Sequence, residues 1–292
     1  MIPETHAIPA ELGLGEDCYY LVHIFLLIVM KEGHLDSYGY NIHYIHWKGT
    51  GPKLLLIHSM GMDGHSMDQL AESMKSDFDI LSLTILGHGD SDSPNTELPL
   101  DEHAEIMRNI CTQLDFKPSV LIGHSVGGMM GMILTAKYPD EYNGLVLVDI
   151  APFEMTGGSS RPEPPAFFET EKKAKEWLAE RYPGFTPYYV KNRIKYAFKQ
   201  KDGKLYLKPR GDTVRSGLAI DLWPYVERIR CPVLLLMGVE SDLVTPETQK
   251  RMEKTVPDIE AVKVDGTGHM IPQDVPEKFE ELVKGFLKRI KH

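Results

Sequence analysis

Cysteine is scarce in this chain. It has three in 292 residues, Cys18, Cys111 and Cys231, far apart and odd in number. That excludes a disulfide framework and predicts reduced core thiols of a cytoplasmic protein. Positive charge is in deficit too, with 32 Lys and Arg against 42 Asp and Glu, a formal net charge of −10. Neither nucleic acid nor an anionic membrane is then the main partner. A membrane-spanning helix needs about 20 apolar residues, whereas the apolar stretch 18–30 has only 13. No basic n-region or small-residue cleavage site frames that stretch as a secretory signal. Residues 1–30 are therefore expected to be a leader or peripheral segment. Internal repeats are absent as well.

What is present is 42% hydrophobic and 25% charged residues, the balance of a globular protein with a large core. From residue 34 the apolar pattern becomes regular. Residues 34–40 and 41–47 are short Tyr-, Ile- and His-rich runs joined near Gly39, which predicts an antiparallel hairpin. Residues 53–57, 78–86, 120–122, 145–148, 231–237 and 260–264 read as further strands. The first of these is almost wholly apolar, as a strand covered on both faces must be. Residues 66–75, 100–114, 126–138 and 276–290 carry apolar side chains at helical spacing. Strands alternating with helices predict an α/β fold, a mostly parallel central sheet flanked by helices.

The alternation breaks between residues 152 and 228. One amphipathic helix is predicted through Phe167, Phe168, Ala174, Trp177 and Leu178, after a loop that includes residues 157–160. A second runs through Tyr188, Tyr189, Ile194, Tyr196 and Phe198. The expectation is a helical cap (152–228) inserted after the sixth sheet strand, with core segments 31–151 and 229–292 on either side. Most of its aromatic side chains are expected to fill the space between cap and sheet.

One stretch organises the chemistry. Val120-Leu121-Ile122 runs into Gly123-His124-Ser125-Val126-Gly127 and then into a helix, the context of a nucleophile elbow. The tight turn strains the serine backbone and exposes its hydroxyl at a helix N-terminus, and the glycines let neighbouring backbone pass close by. A serine hydroxyl needs a base that is itself held by a third group. His269, just past the last strand, is the expected base. Asp242, after the strand that ends at Met237, is the expected acid, and Asp149, ending the strand 145–148, is its rival. Ser125, Asp242 and His269 then follow one another in the order expected on such a sheet. The oxyanion donors expected are the amides of Val126 and of Met60, in the loop His58-Ser59-Met60-Gly61. His124 should point into the core, His58 and His88 should order loops, and His34, His43 and His46 should be surface residues of the hairpin. No two histidines stand at the i, i+4 spacing that, with an acid beside them, marks a helical metal site, so neither metal nor cofactor is expected.

With His58-Ser-Met-Gly61, Gly87-His-Gly-Asp-Ser91, Gly123-His-Ser-Val-Gly127 and the surroundings of Asp242 and His269 in order, residues 34–290 resemble the α/β-hydrolase family. Within it, the chain is most similar to the serine carboxylesterases with a helical cap. The resemblance implies hydrolysis of a small-molecule carboxylic ester through an acyl-enzyme, by a monomer or homodimer without cofactor. In this family the same triad also serves C–C, lactone and amide bonds, and the scaffold also carries non-catalytic small-molecule receptors. Serine at the elbow sets the chain apart from members with an aspartate nucleophile. Two positions depart from the family pattern: Ser59 replaces the usual glycine, and Thr84 stands where aspartate is common.

Overall fold

The computed structural model describes residues 30–152, 162–211, 214 and 218–290. The expected leader up to residue 29, with Cys18, and the loop 157–160 lie outside the described residues. Strands β1 (Met30–Ser37) and β2 (Tyr40–Trp47) form the expected hairpin. Its turn residues Tyr38 and Gly39 both have positive φ, 53° and 84°, the type I′ geometry that suits the twist of paired strands. The next strands are β3 (Lys53–Ile57), β4 (Asp79–Leu83), β5 (Val120–His124) and β6 (Gly144–Val148). After the insertion come β9 (Val233–Gly238) and β10 (Ile259–Val264), joined through α7 (Pro246–Thr255). Together they make one eight-stranded sheet in the order β1-β2-β4-β3-β5-β6-β9-β10, antiparallel at β1, β2 and β4 and parallel onward from β4.

Strand periodicity of two sends alternate side chains to two separate cores. Leu55, Ile57, Leu121, Leu147 and Leu235 meet α2 (Leu100–Gln113) and α3 (Val126–Lys137) on one face. Leu54, Leu56, Ile122, Val146 and Leu236 meet α1 (Asp68–Met74) and α9 (Pro276–Arg289) on the other. All of β5, β6 and β9 is buried, as the apolar runs require. Helix α3 is buried from Val126 to Ala136, which makes Met129, Met130 and Met132 core residues. Cys111 and Cys231 are buried and unpaired, with burial pushing both thiols up to about 12. Among the described residues no helix is long and apolar enough to cross a membrane.

The strand order reverses at β3, which has β4 on one side and β5 on the other. In open parallel sheets the crevice outside the strand ends at such a point is where ligands bind. Here the backbones come very close. A Cβ on Gly127, in the first turn of α3, would lie 2.2 Å from the Ile57 carbonyl oxygen, and one on Gly123 would lie 2.4 Å from the Gly127 oxygen. Main chain cannot yield as a flexible side chain can. Gly127→Ala should therefore cost about 3 kcal/mol or more, read as a lower denaturation midpoint at unchanged m-value. A midpoint equal to wild type would show that α3 can move off β3.

The insertion between β6 and β9 holds α4 (Glu171–Arg181), α5 (Pro187–Tyr196), a hairpin of β7 (Phe198–Lys201) and β8 (Lys204–Leu207), and α6 (Trp223–Val226). Both expected helices are present, each with a threonine N-cap, Thr170 and Thr186, but the first begins at Glu171, so Phe167 and Phe168 precede it and Phe168 instead bridges to Leu205. The second ends at Tyr196, and Phe198 opens the hairpin. Asp202-Gly203, with φ of 49° and 74°, turns that hairpin, a two-residue signal that helical aromatic spacing obscured. Phe168, Leu178 and Phe198, with Trp177 beside them, form a small core of the insertion itself. The aromatics thus do not mainly fill a space above the sheet, and Phe167 and Tyr188 are exposed.

Candidate active site

Five described non-glycine residues have positive φ: Tyr38, Asp115, Ser125, Asp149 and Asp202. Tyr38 and Asp202 serve hairpin turns, and Asp115 follows the C-terminus of α2. The other two, Ser125 and Asp149, directly follow the neighbouring parallel strands β5 and β6. Ser125, at φ 53° and ψ −118°, is the N-cap of α3. Such a conformation costs about 1–3 kcal/mol and persists only where its surroundings enforce it. Here the Ser125 N–H donates to the Val148 carbonyl at 3.0 Å, and the Asp149 N–H to the Leu236 carbonyl at 2.8 Å. The sheet ladder therefore runs through both residues.

His269 lies in the loop between β10 and the short α8 (Ile271–Asp274). Its Nδ1 is 2.8 Å from Asp149 Oδ2. The Asp149 carboxylate is fully buried and also accepts from the Gly238 N–H at 3.0 Å and the Ser241 hydroxyl at 2.5 Å. It therefore receives three donors. Asp242, the acid expected from sequence, is exposed and makes no hydrogen bond to His269 among the described residues. The correction has a geometric cause. Asp149 is the first residue past β6 and points across to the end of β9, whereas Asp242 is four residues beyond β9 on the outer side of its loop.

His124 is in the core, as expected, but it also has a specific contact. Its Nε2 donates to the His269 carbonyl at 2.7 Å, which ties the residue before Ser125 to the histidine loop. Burial pushes the His124 pKa well below its ordinary value, so the ring is neutral. Ser125 is partly exposed, and its hydroxyl makes no hydrogen bond among the described residues. Contacts between nucleophile and base are often open without substrate and tighten on binding.

The loop after β3 is held by His58. The Ile85 N–H donates to His58 Nε2 at 2.9 Å, and His58 Nδ1 lies 2.8 Å from the Ser59 carbonyl. With Nε2 accepting, Nδ1 must carry the proton. Burial lowers the His58 pKa to about 4, consistent with that neutral form. The Ser59 carbonyl also accepts from the Met62 N–H at 3.1 Å. In a trans peptide the N–H points opposite to the C=O, so these two bonds orient the Met60 N–H as well. The positive φ of this loop falls on Gly61, at 76°, and not on residue 59, which is why serine is tolerated there. Val126 is the first residue of α3, and a helix supplies no carbonyl partner to its first amide. Met62, Phe185 and Tyr189, with Tyr182, Val190 and Met270 against them, form an apolar cluster next to both Met60 and His269 in sequence.

A strained serine on an elbow, a histidine held by a buried carboxylate and the close β3–α3 contact define the class. The chain belongs to the family described as alpha/beta hydrolase fold, which it matches over residues 52–274. It is 26% identical over 250 residues to 2-(acetamidomethylene)succinate hydrolase of Mesorhizobium japonicum, a match covering 82% of this chain and 89% of that one. With the sn-1-specific diacylglycerol lipase ABHD11 of Mus musculus it shares 26% identity over 255 residues, covering 82% and 81%. The crystal structure of E-2-(acetamidomethylene)succinate hydrolase matches it with a TM-score of 0.79 at 24% identity, over 89% of this chain and all of that one.

Proposed function

We propose that this protein is a serine hydrolase that cleaves small carboxylic esters through an acyl-enzyme. The observation that carries the proposal is the 2.8 Å contact between His269 Nδ1 and the buried Asp149 carboxylate, beside the strained Ser125. Nδ1 donates to Asp149, so Nε2 is the basic nitrogen. Ser125 Oγ attacks the ester carbonyl, and Nε2 takes its proton. The amides of Met60 and Val126 hold the oxyanion. His269 returns the proton to the departing alkoxide, and water then repeats the sequence on the acyl group. The segment between β6 and β9 acts as the cap, and the cluster around Phe185 and Tyr189 supplies an apolar wall for the substrate. One relative is named as a diacylglycerol lipase, which supports an ester. Another is named for an acetamido-bearing succinate, which supports amide cleavage as the second reading.

A fluorophosphonate probe should label the wild-type protein once, at Ser125, as located by peptide mass spectrometry. Esters of graded acyl length, run against matched anilides, should then show turnover of the esters and identify the length the wall accepts. An unlabelled Ser125 would remove the nucleophile from this mechanism. Faster turnover of the anilides would favour the amide reading.

A further inference from the structure

At the β1–β2 edge of the sheet, Glu32, His43 and His65 bring one carboxylate oxygen and two imidazole nitrogens within 4.8 Å of one another. They come from β1, from β2 and from the 3-10 turn Gly64–Met67 that precedes α1. In the strand order β4 and β3 stand between this edge and β5, so the cluster is separate from the Ser125 site. His43 Nε2 is 2.9 Å from Glu32 Oε1, and His65 Nε2 is 3.4 Å from the same oxygen. The other nitrogen of each ring is also engaged. Asp68 Oδ2 lies 3.1 Å from His65 Nδ1, and Thr84 Oγ1 lies 2.8 Å from His43 Nδ1.

A carboxylate at Nδ1 holds the proton there and leaves the lone pair on Nε2. For His65 that lone pair faces Glu32, and the nitrogen has no hydrogen-bond partner among the described residues. The His65 side chain is only 2% exposed. A buried lone pair aimed at a carboxylate is repulsive, and a positive charge between them, a proton or a metal ion, relieves it.

We propose that Glu32, His43 and His65 form a binding site for a divalent cation of the zinc class. The ligands are His43 Nε2, His65 Nε2 and a Glu32 carboxylate oxygen, with water completing the shell. Two imidazoles and one carboxylate are an established zinc donor set, and tetrahedral bonds of about 2.0–2.1 Å place ligand atoms about 3.3–3.4 Å apart. The observed 2.9 and 3.4 Å are close to that spacing. The Glu32 side chain is 41% exposed and gives the ion and its water a way in, while both rings are buried. Asp68 and Thr84 supply the outer hydrogen bonds that orient metal-binding histidines.

A bound cation would also brace the insertion. The His65 ring stacks on Tyr196 at the end of α5, with centroids 3.4 Å apart and planes 8° from parallel. Asn192 of α5 donates to the His65 carbonyl and to Asp68, both at 3.1 Å. The sequence placed His43 on the hairpin surface and expected no metal. His43 is in fact buried, and ligands drawn from three elements leave no short spacing to find.

The full chain, stripped of metal by chelator and dialysis, should take up one Zn2+ in competition with a chromophoric chelator, and its Tm should rise with Zn2+. Glu32→Gln keeps a hydrogen-bonding group at a partly exposed position and should fold, yet weaken Zn2+ binding about 100-fold, with its Tm indifferent to the ion. Asp68→Asn should weaken it about 10- to 100-fold. Co2+ bound to the wild type should give visible d–d absorption, a readout independent of any variant's folding. Equal Zn2+ affinity in wild type and Glu32→Gln, or no visible bands from the Co2+ protein, would overturn the proposal and leave His65 as an imidazolium between Asp68 and Glu32.

Discussion

Replacing Ser125 by alanine is expected to lower kcat for short p-nitrophenyl esters about a million-fold while leaving Tm unchanged. The two halves of this expectation rest on different facts. The hydroxyl makes no hydrogen bond among the described residues, so the fold loses no contact with it. The strained backbone at φ 53° is carried equally by serine and alanine, since both have a Cβ. The loss is therefore chemical. In the proposed mechanism no acyl-enzyme forms without Oγ, and only the oxyanion amides and substrate binding remain to assist water. KM should change little, because the apolar wall is untouched. A fall of tenfold or less with the fold intact would mean that another group attacks the substrate.

Asp149→Asn should lower kcat about 10,000-fold, whereas Asp242→Asn should leave it essentially unchanged. The buried carboxylate accepts from Gly238 N–H, Ser241 Oγ and His269 Nδ1. An asparagine must keep its oxygen on the Gly238 amide, because a backbone N–H left unpaired there is costly. Its NH2 group then faces His269 Nδ1, which can no longer donate. The imidazole shifts its proton to Nε2 and cannot accept one from Ser125. Asp242 is exposed and has no such partners among the described residues, so its amide changes one solvated charge. Side-by-side kcat values for the two variants, with Tm measured for each, decide between the acids. A larger loss at Asp242 would return the role to that residue.

Much of the scaffold was legible in the chain. Apolar runs such as Leu54–Ile57 and Leu145–Val148 mark buried strands because parallel strands are covered on both faces. Helical spacing through Ile106 and Ile110 marks α2 by the same logic of periodicity. The β7–β8 hairpin was missed because Tyr196 and Phe198 also fit a helical stripe, and only its Asp202-Gly203 turn could have signalled otherwise. Thr84 shows a limit of a different kind. Its hydroxyl bonds His43 Nδ1 and accepts the Gly64 N–H, a role that follows from β2, β4 and the 3-10 turn meeting there.

By itself the sequence determined the features that depend on neighbours along the chain. These are the alternation of strands and helices, the glycine-flanked turn that exposes Ser125, and a histidine beyond the last strand. Steric and hydrophobic patterns of short range are enough for each of them. Only the tertiary structure decided that Asp149 and not Asp242 meets His269, that His124 braces the histidine loop, and that Glu32, His43 and His65 converge. Those outcomes depend on which strands lie side by side and which way each side chain leaves its strand, and the order β1-β2-β4-β3-β5-β6-β9 set both.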